Sequence, residues 1–175
     1  MVIYEIAGKR PAIEKDTFVH PTAVIIGEVI IGSGCFIGPS AVIRADCGPI
    51  IIGDGASIQD NATIHVDPGA KVTVGKNVIV GHNVVLHDVT LHDECVIGMG
   101  AVLLANVVCG TGVVVAAGSL VKQGMNIPAG KLVVGNPAKI IKDVSPELKA
   151  YVKAGIEQYK DMNRLYRETM KEIPF

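Results

Sequence analysis

Residues 91–133 read LHDECVIGMGAVLLANVVCGTGVVVAAGSLVKQGMNIPAGKLV, and this stretch decides the fold. Every sixth position is aliphatic or a cysteine: Leu91, Ile97, Leu103, Cys109, Val115, Val121, Ile127 and Val133. A helix repeats its apolar face every 3.6 residues and a half-buried strand every second residue. A period of six is neither, so the unit is a short strand followed by a turn. Two further columns keep the same register. Four residues after each guide comes a small or medium residue, among them Cys95, Ala101, Val107, Val113 and Ser119. Three residues after it Gly or Asn comes unusually often: Gly100, Asn106, Gly112, Gly118, Gly124, Gly130 and Asn136. Gly and Asn enter the left-handed backbone region at low cost, so this column marks a tight corner.

Toward the N-terminus the series continues with interruptions. Val19, Ile25, Ile31, Ile37 and Ile43 are followed by three extra residues, then Ile52, Ile58 and Ile64. Four more residues precede Val74, Val80 and Leu86, and one residue is missing before Leu91. A single unit cannot bury its apolar face, whereas stacked units cover one another. A sandwich of short strands would need period-two alternation and hairpin spacing instead. The period itself predicts a solenoid. Its length and aliphatic guides resemble the left-handed parallel β-helix, in which three units make one triangular coil. The resemblance implies a mainly β fold of five to six coils over residues 19–138. Residues 1–18 are expected to cap it, and 139–175 to form a linker and a C-terminal α-helix.

Composition agrees. Of 175 residues, 49% are hydrophobic but only 4% aromatic, so the core must be aliphatic. Net charge is −1 without a basic cluster, so nucleic acid is not an expected partner. No stretch has membrane-spanning length without Gly or polar interruption. Met1 to Ile13 lacks an apolar run of signal-peptide length after a basic start, and the expected compartment is the cytoplasm. The four cysteines form no CxxC pair. Cys35, Cys47 and Cys95 fall in the small inward column and Cys109 in the guide column, which makes them core residues. Cys47 lies beside a loop and is the one candidate for a catalytic thiol. In the tail, Ser145-Pro146-Glu147 reads as an N-cap with Pro in the first turn. Leu148, Tyr151, Val152, Tyr159, Met162, Tyr166 and Met170 recur at helical spacing, which predicts an amphipathic helix over about 145–172. Its apolar stripe should lie on a solenoid face, its own chain's or a neighbour's.

The five histidines separate by register. His65 follows Ile64 and His87 follows Leu86, three units later, which is one full coil. The two rings should stack at roughly the 4.8 Å spacing of neighbouring strands. Imidazoles so placed can share a metal ion. His82 sits at the preceding corner, about 15 Å from His87 along the strand, and can reach such an ion only from another chain. A cyclic homotrimer would bring it there, with the metal shared between adjacent chains. Arg44 precedes His65 by one coil, and Gln59-Asp60 precede Gly81-His82 likewise, so two polar columns converge on one interface. His20 and His92 have no stacked partner and read as surface residues. Three imidazoles suit zinc, and also iron(II) or cobalt(II).

Arg44-Ala-Asp46, Gln59-Asp60-Asn61, His65, Gly81-His82-Asn83 and His87, in this order and spacing, resemble the γ-class carbonic anhydrases and their shorter homologues over nearly the whole chain. The resemblance implies that His65, His82 and His87 bind the metal and that Arg44 and Asp46 form a salt bridge across the trimer interface. It implies that Gln59 orients the water on the metal, with Asp60 beside it, and that the reaction is reversible hydration of CO2 to bicarbonate, a carbonate dehydratase activity. The two glutamates tied to proton export in the prototype are absent. Cys47 stands in one place and the short loop Val66-Asp67-Pro68-Gly69 in the other, which implies weak turnover, with Asp67 or His92 as substitutes. Other readings share the solenoid: a hexapeptide acyltransferase or thioesterase acting on acyl-CoA, or a non-catalytic metal-binding trimer. The tail Gly135-Asn136-Pro137-Ala138-Lys139 fits more than one of these.

Overall fold

The computed structural model describes residues 2–174. Short parallel strands stack on three faces. The first face carries Val2–Tyr4, the start of Val24–Ile31, the start of Val42–Ile52, Thr63–His65, Val85–His87, Val102–Leu103 and Leu120–Val121. The second carries Ala12–Ile13, the ends of the same two long strands, Val72–Val74, Thr90–Leu91, Val108–Cys109 and Asn126–Ile127. The third runs from Phe18–Val19 through Phe36–Ile37, Ser57–Ile58, Ile79–Val80, Val96–Ile97 and Val114–Val115 to Lys131–Gly135. The expected parallel β-solenoid is present and makes about seven turns. The count exceeds five to six because residues 2–19 form a coil of their own, with Val2–Tyr4 and Ala12–Ile13 paired in parallel to Val24–Ile31.

The guide column is the core. From Ile25 to Val133 every guide residue is at most 1% exposed, and the small column beside it is buried with one exception. That exception is Cys47, which is exposed rather than inward. The three residues inserted after Ile43 extend Val42–Ile52 around a corner, with a register shift opposite Gly27 and Val29. The inward position passes to Ala45, and Cys47 turns to solvent.

The corner column behaves as its chemistry demands. Gly100, Gly112, Gly118, Gly124, Gly130, Asn61, Asn77, Asn83 and Asn106 all have positive φ. So do Ser40 and Glu94, which hold the same place without suitable side chains. The corner geometry is therefore imposed by the coil and not by the residue.

The chain leaves the last coil through an antiparallel pairing of Lys131–Gly135 with Ala138–Asp143, then enters helix α1, Pro146–Thr169. Ser145 caps it, its hydroxyl accepting from the Leu148 N–H at 3.3 Å. The helix packs in cis on the third face. Tyr159 meets Phe36, and Tyr166 meets both Phe18 and Phe36, with ring centroids 5.2–5.5 Å apart. Asn163, buried, accepts from the Phe18 N–H at 2.9 Å and donates to the Asp16 carbonyl at 3.0 Å. The helix thus runs back from the last coil to the first. Among the described residues, no helix is long and apolar enough to cross a membrane.

At Gly118 a Cβ would meet nothing within 4 Å, yet φ is +67°. Gly118→Ala is therefore expected to lose about 1–2 kcal/mol through backbone strain alone. Glu94→Gly should raise stability through the same effect reversed. Urea unfolding midpoints of the two variants check both signs.

Candidate metal centre and proton-transfer dyad

The inward guides Ile43, Ile64 and Leu86 are paired coil to coil, and the residues that follow them stack with the same register. Arg44 lies over His65, and His65 over His87. The column read from the sequence is present. His65 Nδ1 stands 3.1 Å from His87 Nε2, with ring centroids 5.1 Å apart.

Carboxylates hold these rings from behind. His65 Nε2 lies 3.3 Å from Asp46 Oδ1, and the other oxygen of Asp46 accepts from Arg44 Nη1 at 2.5 Å. Burial alone would raise the Asp46 pKa, but the Arg44 hydrogen bond, backbone bonding, the guanidinium charge and the His65 contact together hold it below the ordinary range. The Arg44–Asp46 contact is made within one chain, where a bridge across the trimer interface was the expectation. His87 Nδ1 lies 3.3 Å from Asp88 Oδ2, whose side chain is 7% exposed. The second oxygen of Asp88 accepts from the Asp67 N–H at 2.8 Å, and Asp67 Oδ1 lies 3.6 Å from His87 Nε2.

Asp88 was not legible as a site residue. Its one signal is the residue missing from the repeat after Leu86, which forces Asp88 to φ +52° and folds its side chain back over the loop. His82 sits apart from this cluster at its corner, with Nδ1 against Asp60 Oδ2. Gln59 is buried, 5% exposed, one residue before Asp60. His20 bonds Thr22 in its own turn, at 2.8 Å. His92 is exposed.

The cysteines divide. Burial pushes the Cys35 and Cys95 thiols up to about 11 and raises Cys109 further. Cys47 alone is exposed, and its sulfur, an Asp46 oxygen and a His65 nitrogen lie within 4.8 Å of one another.

The chain matches the bacterial transferase hexapeptide family over residues 10–45, and the hexapeptide repeat of succinyl-transferase over 28–65 and 71–105. It is 33% identical over 172 residues to the carnitine operon protein CaiE of Proteus sp. (strain LE138), covering 98% of this chain and 87% of that protein. Among solved structures, a Bacillus cereus protein provisionally described as an acetyltransferase superposes with a TM-score of 0.94 at 35% identity, covering 95% of this chain and 97% of that one. A hexapeptide-repeat acetyltransferase of Vibrio cholerae O1 biovar eltor, solved with acetyl coenzyme A, superposes with a TM-score of 0.57 at 26% identity, covering 66% and 70%. The chain belongs to the hexapeptide-repeat family of left-handed β-helix proteins that includes CaiE.

These relatives correct the expected chemistry. They are a carnitine operon protein and acetyltransferases, so carbonate dehydratase activity, with CO2 and bicarbonate as substrates, is not the reaction they point to. The structure supplies a physical reason. Hydration at a metal must export a proton in every cycle. Where the prototype carries its glutamates, this chain has the exposed Cys47 and the short loop at Asp67.

Two outcomes follow from this geometry. A thiol-specific reagent should modify one cysteine per folded chain, Cys47, and all four only after denaturation, as mass spectrometry would show. Replacing Arg44 with Met should raise the Asp46 pKa, followed by carboxyl NMR. Because that pKa is lowered by folding, the pair stabilises above the unfolded value near 3.8, and this contribution fades as pH falls through the folded value. The stability gap between wild type and Arg44→Met should therefore close in acid.

Proposed function

We propose that this protein is an acyltransferase that takes its acyl group from a coenzyme A thioester, with His82 as the general base. The observation that carries this reading is the contact of His82 Nδ1 with Asp60 Oδ2 at an accessible corner, each side chain 38% exposed. With the ring proton on Nδ1 donated to Asp60, Nε2 would keep a lone pair for proton abstraction. A histidine oriented by a carboxylate is the arrangement used to activate hydroxyl nucleophiles on unrelated folds. Here Nε2 would take a proton from an acceptor hydroxyl or amine. The acceptor oxygen or nitrogen then bonds to the thioester carbonyl carbon, the C–S bond breaks, and the sulfur leaves as coenzyme A thiol with the proton returned by His82. The acetyl coenzyme A bound by the Vibrio cholerae relative supports the donor class. Hexapeptide-repeat proteins are commonly trimers, and the first face offers a surface for this. There Val85 and Leu104, both 38% exposed, flank the histidine column.

The paired rings favour a second role for the same region, a divalent cation site. Two ligand nitrogens at about 2.0–2.1 Å from one ion lie roughly 2.9–3.4 Å apart, depending on the angle. The 3.1 Å between His65 and His87 falls inside that range. Zinc, iron(II) or cobalt(II) suits the donors; in this reading, which replaces His82 as general base, His82 of an adjacent chain would complete a three-histidine set in a homotrimer. When bound, such a cation supplies Lewis acidity toward a carbonyl. Gln59, Arg44 and Asp46 would then line the approach to it.

Thiol release from acetyl-, succinyl- and longer acyl coenzyme A, with hydroxyl and amine acceptors, tests the reading. His82→Ala should lower kcat by about 100- to 10,000-fold, and Asp60→Asn by at least about tenfold. Wild-type protein that releases no thiol from any donor–acceptor pair would sink it.

A further inference from the structure

We propose that the wedge between helix α1 and the third face of the solenoid binds an aliphatic carboxylate, with its chain on an apolar floor and its head between Lys149 and Lys153. The wedge is separate from the histidines, and the inference rests neither on acyl transfer nor on a bound cation.

The wedge exists because the helix is pinned at one end. Tyr159 and Tyr166 hold its C-terminal half against Phe18 and Phe36, and Asn163 bonds the Phe18 N–H. Gly155 still touches the face: a Cβ there would stand 3.4 Å from Ile79 Cδ1. Toward the start of the helix, the outward column beneath it offers Val96 and Val114 where the first coils offer phenylalanine. No aromatic side chain fills the space, and an open-sided cavity of about 630 Å³ remains. Its floor is Val114, Val144, Val152 and Ile156; Val152 is half-buried and the other three are buried. A hydrocarbon chain lying on this floor leaves water along one side, which is the main gain from binding.

The rim decides the head group. Lys149 and Lys153 line the mouth one helical turn apart, and both are exposed. Neighbouring acids are committed elsewhere. Glu157 accepts from Lys160 at 2.9 Å, and Asp143 from Lys131 at 2.6 Å. Among the described residues, no carboxylate pairs with Lys149 or Lys153. Over the whole lining, Lys149, Lys153 and Lys160 against Glu94 and Glu157 leave one positive charge, which a single carboxylate cancels. Phosphates and nucleotides fit less well. The lining holds no arginine to grip a phosphate and no aromatic ring to stack on a base. The corner N–H groups of Gly112 and Gly130 already donate to the Asp93 and Thr111 carbonyls, each at 2.9 Å.

The full-length protein is titrated calorimetrically with hexanoate, octanoate and octanol. Affinity for the carboxylates should rise about two- to fourfold with each added methylene. Octanol, with the same chain and no charge, should bind at least about tenfold more weakly than octanoate. Lys149→Met combined with Lys153→Met keeps the aliphatic stems and removes both charges. This pair should weaken octanoate to the level of octanol and leave octanol unchanged. Val152→Trp fills the wedge from the helix side and should abolish binding of both, with circular dichroism confirming the fold of each variant. His65→Ala and His82→Ala should leave octanoate affinity unchanged. Octanoate affinity unaltered in both the double lysine variant and Val152→Trp would overturn the proposal, and so would equal binding of octanol and octanoate or no binding by wild type. Loss of octanoate in His82→Ala or His65→Ala would move the carboxylate to the histidines and overturn it too. Thiol release by wild type tests acyl transfer separately and has no bearing on these affinities.

Discussion

Every coil must place its aliphatic guide over the guide of the coil below. That constraint holds the molecule together and also arranges its chemistry. Ile43, Ile64 and Leu86 are fully buried and paired in register. The residues that follow them have no freedom to be elsewhere than in an outward column. Burying an aliphatic ladder therefore aligns Arg44, His65 and His87 at strand spacing without any interaction among the three. The carboxylates then decide what that alignment is good for. Asp46 and Asp88 stand behind the rings, and Asp67 stands beside them.

Most of this frame was legible in the chain because the constraint is periodic. The register from Val19 to Val133 assigns the buried guides, the corner column of Gly and Asn, and the stacked histidines. The helix at Pro146–Thr169 falls within the expected 145–172. What was missed lies where the period breaks. From the sequence the first coil reads as a cap, because residues 2–18 carry no six-residue series. Cys47 reads as inward because an insertion of three residues hides which neighbour takes the buried place. Asp88 follows a one-residue deletion, and its role arises from a left-handed φ and a loop crossing that no spacing rule reports.

The reaction class was the least legible feature, for a different reason. A solenoid of this kind fixes positions, not chemistry, and one scaffold carries enzymes of several kinds. Histidines at coil spacing are compatible with hydration, acyl transfer or simple metal storage. What separates these outcomes is which groups accept and deliver protons. Here the accessible pair is His82 with Asp60, while His65 and His87 are crowded together, ring nitrogen to ring nitrogen at 3.1 Å. The similarity to CaiE and to acetyltransferases covers the whole scaffold and moves the reading toward acyl groups.

Stacked coils form a one-dimensional array in which each unit touches only its neighbours, so an end can loosen while the middle stays intact. Helix α1 changes that connectivity. It leaves from the last coil and lays Tyr159, Asn163 and Tyr166 on the first two. The array becomes a ring in its contact graph, though the strands never close. An opening at either end must then release the strut as well, which ties the fraying of one terminus to that of the other and lets 175 residues of local repeats unfold as a single cooperative unit.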